Sequence, residues 1–297
     1  MWTPMAMMMK TFSQAVIDTW ATKQPSISAF FSSSAQTINW IIYNIWWEIS
    51  PWTPIWLNEI HGYNPVSNTW FKAIGNWKRA EHATAVYWDD IYVISWWVRP
   101  AAAVTLVEKF SPLTSTWTTK APIPAWSRNW SSSTVNWKIY YMWWYQWGFL
   151  ATNYEYDIAN NTWSLKANMP RAREYHSSWV YNNQIYVFWW YAWWDQFIEI
   201  DRYTPATNTW ETNITQLTPV LLPWSYEWII LSDKIYIFDS VTKKIFIYNI
   251  TNNSWEMRTW SNTSRGSYNV AAYNNKIYLM WWTISWVETN LNEEYIP

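Results

Sequence analysis

A segment that ends in tryptophan recurs along this chain at an almost constant interval, and this repeat limits the folds that the chain can adopt. Its five copies are 47, 46, 47 and 45 residues apart and end at Trp70, Trp117, Trp163, Trp210 and Trp255. A fixed period of this length indicates a repeat architecture, in which each copy forms one supersecondary unit. The interval therefore predicts one four-stranded propeller blade per copy.

Each copy contains the pattern of two hairpins. An aromatic residue lies seven positions before the tryptophan, and turn residues separate the two, which predicts a strand, a tight turn and a strand. These aromatic residues are Tyr63, Phe110, Tyr156, Tyr203 and Tyr248. Upstream lies another hairpin, whose inner β-rich run starts at Ile41, Ile91, Ile139, Ile185, Ile235 and Ile277. Six such runs predict six blades.

The two ends of the chain complement each other. The β-rich run at Ile277 is followed by a third strand that ends in Tyr295, and no fourth strand follows it. Trp20 stands near the amino end without a third strand before it, 50 residues ahead of Trp70. The first strand is thus predicted to complete the last blade, which closes the ring and removes its free sheet edges. An open solenoid of hairpins would not leave complementary half-blades at its ends.

These patterns predict an all-β fold: a six-bladed β-propeller of four-stranded antiparallel blades, with the last blade closed by the N-terminal strand. We expect one domain over residues 1–297, with residues 1–12 as a disordered or peripheral N-terminal segment. Half of the residues are hydrophobic and only 14% are charged. This composition supplies a sizeable core and excludes wholesale disorder.

Charge and composition also narrow the partners. The net charge of -1 provides no field that would attract nucleic acid, so we expect no nucleic-acid partner. No apolar run approaches the roughly 18 residues that span a bilayer, so we expect no membrane insertion. The opening residues MWTPMAMMMK place the first lysine after the apolar residues, which is not the pattern of a secretory signal. The sequence leaves the compartment open.

The repeats resemble those of the kelch family over essentially the whole chain, most closely in the segment Met169–Trp190, MPRAREYHSSWVYNNQIYVFWW. One kind of position departs from the family pattern. Kelch blades end the second strand with a Gly-Gly doublet, and here five Trp pairs stand in that place: Trp46 and Trp47, Trp96 and Trp97, Trp143 and Trp144, Trp189 and Trp190, and Trp281 and Trp282. Glycine serves where backbones approach closely or φ is positive, and tryptophan is the largest side chain.

Two predicted hairpin turns show the same anomaly. Asn39-Trp40 and Asn136-Trp137 occupy positions for type I′ turns, which prefer Asn-Gly. Apart from six blade-closing tryptophans, 27 of the 33 remain, and with the 4 glycines they would make up about 10% of the chain, near ordinary glycine usage. Our hypothesis is that most of the 27 are glycines, written as tryptophan because UGA codons were translated under the wrong genetic code. Some bacterial lineages read UGA as glycine.

A genuinely tryptophan-rich protein that stacks carbohydrate rings is the alternative interpretation. Tryptophans that bind a sugar would lie on the loops of one face. The written tryptophans also occupy tight turns on the opposite face, which favours the recoding hypothesis.

The predicted binding face is the one on which the loops between second and third strands and the loops between blades emerge together. The loops between blades carry a recurring polar motif, which would bind an acidic or sugar ligand through charge-assisted hydrogen bonds. Its candidate residues are Arg79, Glu81, His82, Arg128, Arg171, Arg173, Glu174 and Arg265. The more variable loops between second and third strands add Arg99, Tyr145, Tyr191 and Asp195. For His82 and His176, which occupy near-equivalent repeat positions, a structural hydrogen bond between blades is the favoured interpretation.

No catalytic motif is present in the sequence. The only histidines, His61, His82 and His176, lie a blade or more apart, so we expect no metal site and no cofactor. The kelch resemblance implies a non-catalytic binding scaffold that presents loops to a protein or glycan partner. The alternative is a sugar-processing enzyme similar to the six-bladed sialic-acid mutarotases, which rests on blade count alone. A kelch-type copper-radical oxidase is excluded, because that chemistry needs a cysteine and the chain has none.

Overall fold

The computed structural model describes residues 19–27, 34–45, 59–75, 82–98, 102–125, 131–145, 149–172, 176–188, 199–216, 226–239, 243–259, 268–281, 283–284 and 287–297. Every regular element in these ranges is a β-strand, which confirms the predicted all-β class. The strands form six antiparallel sheets of four strands each, together with one short hairpin. Each four-stranded sheet is one blade of a propeller.

The chain begins with β1 (Thr19–Lys23) and then builds five blades in sequence, each from its inner strand outward. Blade 1 comprises β2 (Ser34–Ile38), β3 (Ile41–Ile45), β4 (Glu59–Asn64) and β5 (Thr69–Ile74). Blade 2 comprises β6 (Ala83–Tyr87), β7 (Asp90–Val98), β8 (Ala102–Ser111) and β9 (Thr116–Lys120). Blade 3 comprises β10 (Ser131–Val135), β11 (Lys138–Tyr145), β12 (Phe149–Asp157) and β13 (Thr162–Leu165).

The remaining blades follow the same order. Blade 4 comprises β14 (Ser177–Tyr181), β15 (Gln184–Phe188), β16 (Glu199–Thr204) and β17 (Thr209–Gln216). Blade 5 comprises β18 (Tyr226–Leu231), β19 (Lys234–Asp239), β20 (Lys244–Asn249) and β21 (Ser254–Thr259). Blade 6 contains β22 (Tyr268–Tyr273), β23 (Lys276–Trp281) and, after the small hairpin of β24 (Thr283–Ile284) and β25 (Val287–Glu288), β26 (Asn292–Ile296).

The N-terminal strand completes blade 6, as the sequence predicts. β1 pairs antiparallel with β26, and Trp20 lies opposite Tyr295 in the register. The inner strands β2 and β22 are also in contact, so blade 1 follows blade 6 directly. The ring is therefore closed by strand pairing between the two ends of the chain.

One register detail differs from the sequence alignment of the repeats. The residue that pairs with the third-strand aromatic is Ile91 in blade 2 and Ile139 in blade 3, but in blade 1 Tyr63 pairs with Ile42. The run IIYNI was aligned by its first isoleucine, which places it one residue early. The hairpin turns give the correct alignment, because Asn39 precedes Ile42 by three residues, as Asn136 precedes Ile139.

The buried apolar side chains pack between the blades. In the described residues they form six clusters, and each cluster joins two neighbouring blades. One example brings Ile94 and Val107 of blade 2 against Ile139 and Tyr141 of blade 3, and all four side chains are fully buried. Burial of these apolar side chains between the blades supplies the main stabilisation of the ring.

A second device ties blades 1, 3 and 4 to the blade before them, and blade 3 shows its geometry. Asn161, in the turn after β12, has a φ of 54°, and its Oδ1 accepts hydrogen bonds from the Tyr156 hydroxyl (2.6 Å) and from the backbone N–H of Ala121 (2.8 Å) in blade 2. Trp163 Nε1 donates to the carbonyl oxygen of Ala121 at 2.9 Å. We call these four residues the interblade clasp. It recurs as Tyr63, Asn68, Trp70 and Gln24 in blade 1 and as Tyr203, Asn208, Trp210 and Ala167 in blade 4.

Candidate functional site

The six inner strands surround a central channel, and the channel contains a cavity of about 490 Å³. Its wall is formed mainly by small polar side chains near the amino ends of these strands. The polar residues of the wall are Ser34, Gln36, His82, Thr84, Ser131, Ser132, Ser133, Thr134, His176, Ser177, Ser178 and Asn269. Among the described residues that line the cavity there is no carboxylate, lysine or arginine. The described part of the wall therefore offers neutral donors and acceptors, and its titratable groups are two imidazoles.

The two histidines occupy matching places, as their repeat positions predict. His82 directly precedes β6, and His176 directly precedes β14. His176 is buried, and His82 is half-buried with its Nε2 3.4 Å from the Ser34 hydroxyl of blade 1. This contact joins neighbouring blades, which agrees with the structural role favoured for His82. Both rings nevertheless line the same cavity, two blades apart.

Several wall hydroxyls link neighbouring blades. Ser133 and Ser178 are joined by a hydrogen bond of 2.7 Å between their hydroxyls, and the Ser132 hydroxyl donates to the carbonyl oxygen of Thr84 at 2.9 Å. Two others, Ser131 Oγ and Thr134 Oγ1, are buried and have no hydrogen-bond partner within the described part of the chain. A buried hydroxyl without a partner is costly, so these two atoms are available to a bound polar group or to water.

Three of the twelve predicted site residues fall within the described ranges. His82 lines the cavity. Arg171 is exposed at the end of the segment that follows β13, and Tyr145 is the last residue of β11. The predicted residues Arg79, Glu81, Arg99, Arg128, Arg173, Glu174, Tyr191, Asp195 and Arg265 lie outside the described residues.

The wall hydroxyls were not predicted from the sequence. Short runs of small polar residues do open three of the inner strands, as SAQ at Ser34, SSST at Ser131 and SS at Ser177. Such runs stand where a strand buried between two neighbours would usually be apolar. This departure could have indicated a polar channel, but serine-rich runs are also typical of loops.

The charged side chains lie farther out in the blades. Glu155 accepts hydrogen bonds from the Tyr140 hydroxyl and from Lys138 Nζ, both at 2.7 Å, and Lys166 Nζ lies 3.2 Å away. Burial alone would raise the pKa of Glu155, but these donors together hold it below its usual value. Glu294 of blade 6 has the equivalent arrangement with Tyr278, Lys276 and Lys23. These networks are satisfied internally, and each one joins strands within a single blade.

The third histidine belongs to another such network. His61 is fully buried in β4, and its Nε2 lies 2.8 Å from Glu59 Oε2, which also pairs with Lys72 at 2.9 Å. Burial lowers the pKa of His61, and the hydrogen bond to Glu59 only partly opposes this effect. In the described part of the chain, no three His, Asp or Glu side chains are grouped in a way that could hold a metal ion.

Comparison with known proteins gives one relationship. No protein-family model matches the chain. The kelch-like protein terF of Aspergillus terreus (strain NIH 2624 / FGSC A1156) is 37% identical to it over 68 residues, which is 22% of this chain and 15% of that protein. This similarity, together with six four-stranded blades closed by the N-terminal strand, decides the assignment. The chain is a six-bladed propeller with kelch-like repeats.

The kelch propeller thus covers only a small part of the relative that it matches. Its fold and this relationship support an interaction scaffold in general terms. None of the described segments is a helix with the length and apolar character that a membrane span requires.

Proposed function

We propose that this kelch propeller is a non-catalytic binding scaffold, which holds a partner at the amino ends of its inner strands and on the loops around them. The observation that carries the proposal is the uncharged, hydroxyl-lined cavity of about 490 Å³ in the middle of a closed ring. A rigid ring with neutral donors and acceptors at its centre suits a polar, uncharged group of a partner. A loop of a partner protein or a sugar unit of a glycan provides such a group.

The rigidity of the wall supports this proposal. The hydroxyls of Ser132, Ser133 and Ser178 are held by contacts between blades, so they cannot rearrange without disturbing the ring. The hydroxyls of Ser131 and Thr134 have no partner among the described residues. A fixed wall with two available hydroxyls binds a matching group with little loss of conformational entropy. The predicted loop residues Arg99 and Tyr191 would extend the contact beyond the cavity.

The test compares a cavity-filling variant with a matched variant elsewhere. Ser131→Arg places a long side chain in the cavity, and Leu113→Arg places the same side chain on an 88% exposed position in the turn after β8. A partner captured by the wild-type protein from its native source is identified and purified, and its affinity for each variant is then measured by calorimetry. We expect binding to be lost with Ser131→Arg, weakened at least tenfold with Arg99→Ala or Tyr191→Ala, and unchanged with Leu113→Arg. Equal binding by Ser131→Arg and Leu113→Arg would contradict the proposal.

One observation favours the alternative function, a sugar-processing enzyme of the sialic-acid mutarotase type. His82 and His176 line the same cavity, and imidazoles are suited to general acid-base chemistry near neutral pH. The predicted residues Glu81, Glu174, Arg128 and Arg171 would add further charged groups around it. The measurement is the exchange rate between the anomers of sialic acid, followed by NMR with and without the protein. Acceleration that disappears in His176→Gln would support the enzyme, and an unchanged rate would exclude it.

A further inference from the structure

Three tryptophans occupy backbone conformations that do not suit them. Trp40, Trp88 and Trp137 have φ values of 71°, 54° and 69° and lie in two-residue hairpins between first and second strands. A side chain with a Cβ in this region costs roughly 1–2 kcal/mol, and asparagine tolerates it best. The three indole side chains are 68%, 72% and 66% exposed, so burial provides little compensation. Among the described residues no glycine has positive φ.

The equivalent hairpins of the other blades show what these positions require. Blades 4 and 6 have Asn182-Asn183 and Asn274-Asn275 there, and all four residues have positive φ. Blade 5 has Ser232 at positive φ, followed by Asp233. Small residues that form turns therefore occupy the hairpins wherever tryptophan does not. Glycine is the residue that fits best in type I′ and II′ turns, yet it occurs in none of the six hairpins.

The Trp doublets coincide with irregular strand pairing. The register between β7 and β8 shifts between Ile94 and Trp96, and the register between β11 and β12 shifts between Trp143 and Tyr145. At both shifts the partner strand, β8 or β12, advances three residues while the strand with the doublet advances two, so the extra residue of the bulge lies on the partner strand. Two of the doublets thus lie opposite or next to bulges of the neighbouring strand, and three single tryptophans lie at positive-φ turns.

Other tryptophans have clear structural roles. Trp70, Trp163 and Trp210 donate the indole N–H to a backbone carbonyl of the preceding blade, each at 2.9 Å. Each of them also packs against the tyrosine seven residues earlier, with ring centroids 4.8 or 4.9 Å apart. One group of tryptophans thus uses the indole, and another occupies backbone positions where the other blades have asparagine or serine and where glycine fits best.

We propose that most of the 27 tryptophans outside the blade-closing positions are glycines in the protein that the source organism makes, encoded by UGA codons that the organism reads as glycine. The six blade-closing residues remain tryptophan: Trp20, Trp70, Trp117, Trp163, Trp210 and Trp255. The reassignment removes the positive-φ tryptophans without altering the interblade clasps.

The proposal changes the channel as well as the turns. Trp179 lines the cavity, and the strand pairing places it level with Ala85 of blade 2 and Ser133 of blade 3. The inner strands thus carry a small residue at this position in both blades. With glycine at position 179, the cavity is wider on the side of blade 4 and admits a larger ligand group. The exposed aromatic cluster of Trp88, Trp137 and Tyr87, whose rings lie 6.1 to 6.2 Å apart, also disappears.

Peptide mass spectrometry of the protein purified from its native source tests the proposal. Trypsin cuts after Arg128, Lys138 and Lys166, so two adjacent peptides cover residues 129–138 and 139–166. The second peptide contains its own control, because it carries Trp143, Trp144 and Trp147 together with Trp163. We expect fragment masses that place glycine at positions 130, 137, 143, 144 and 147 and tryptophan at position 163. The intact mass should also fall several kilodaltons below 36.0 kDa.

Two outcomes would overturn the proposal. Tryptophan at positions 137, 143 and 144 of the native peptides would refute it directly, and so would UGG codons at these positions in the gene. In that case the exposed cluster of Trp88 and Trp137 becomes a candidate glycan surface. A second measurement uses recombinant protein: Trp137→Gly should raise the urea midpoint of unfolding, whereas Trp163→Gly should lower it. The proposal does not depend on the proposed binding function, because neither measurement involves a partner.

Discussion

The interblade clasp of blade 3 allows a quantitative test of how the ring is held together. Replacement Asn161→Gly keeps the positive φ of 54° accessible but removes the amide that accepts from the Tyr156 hydroxyl and from the Ala121 N–H. Each hydrogen bond contributes about 1 kcal/mol to stability, so the two together predict a loss of about 2 kcal/mol. Burial raises the pKa of Tyr156 to about 12, so its hydroxyl remains a donor at any working pH.

Blade 2 provides the matched control. Ser115 holds the equivalent turn position with the same φ of 54°, and Phe110 replaces the tyrosine, so this blade has neither the amide nor the hydroxyl of the clasp. Ser115→Gly therefore reproduces the backbone change of Asn161→Gly without its hydrogen-bond loss. The difference between the two variants isolates the contribution of the Asn161 side chain.

The assay is equilibrium unfolding in urea, followed by tryptophan fluorescence and by far-UV circular dichroism, whose coincidence tests for a single transition. We expect Asn161→Gly to lower the free energy of unfolding by about 2 kcal/mol more than Ser115→Gly does. Tyr156→Phe should cost about 1 kcal/mol, and little of this should remain when Asn161 is already glycine. Equal losses in Asn161→Gly and Ser115→Gly, or strict additivity with Tyr156→Phe, would refute the clasp.

Three further predictions concern buried groups. Glu155→Gln should lower the free energy of unfolding by roughly 1–3 kcal/mol at neutral pH. The pKa of Glu155 is held below its usual value, so the difference between variant and wild type should shrink as the pH falls through that lowered pKa. Urea unfolding at several pH values measures this difference. His61 is held neutral by burial, so stability should decline as the pH falls below about 6.5, and His61→Gln should flatten this decline in the same titration. Gly62→Ala would place a Cβ in collision with the Phe71 ring, so we expect the free energy of unfolding to fall by about 1–3 kcal/mol. The Phe71→Ala background should largely relieve this loss. The thermal unfolding midpoints of the single and double variants measure both effects.

The scaffold could be predicted from the sequence because the residues that build it recur in each blade. The tryptophan interval predicted the blade, and the orphan Trp20 predicted the closure that the pairing with Tyr295 confirms. In blade 1, however, Ile42 and not Ile41 pairs with Tyr63. The period identifies the strands, and the turn before each inner hairpin strand, not the first isoleucine of the run, fixes the register.

The cavity could not be predicted in the same way. Its wall brings together residues from different blades, such as Ser133 and Ser178, which are 45 residues apart and joined hydroxyl to hydroxyl. Each inner strand contributes only a few side chains, and no single segment carries the pattern of a site. The sequence therefore indicated the loops, where charged residues stand out, and missed the hydroxyls, which are ordinary residues until the ring assembles them.

Most contacts that hold the ring together lie away from the two wall hydroxyls, Ser131 Oγ and Thr134 Oγ1, that have no partner among the described residues. The clasps connect third and fourth strands to the preceding blade, and the apolar clusters fill the space between blades. The channel wall instead consists of small polar side chains at the amino ends of the inner strands. Substitution of a wall residue such as Ser131, whose hydroxyl has no partner among the described residues, disturbs none of these ties. Under the proposed function, wall residues without such contacts and the loops can vary in binding specificity, while the clasps and the apolar clusters keep the blades in place.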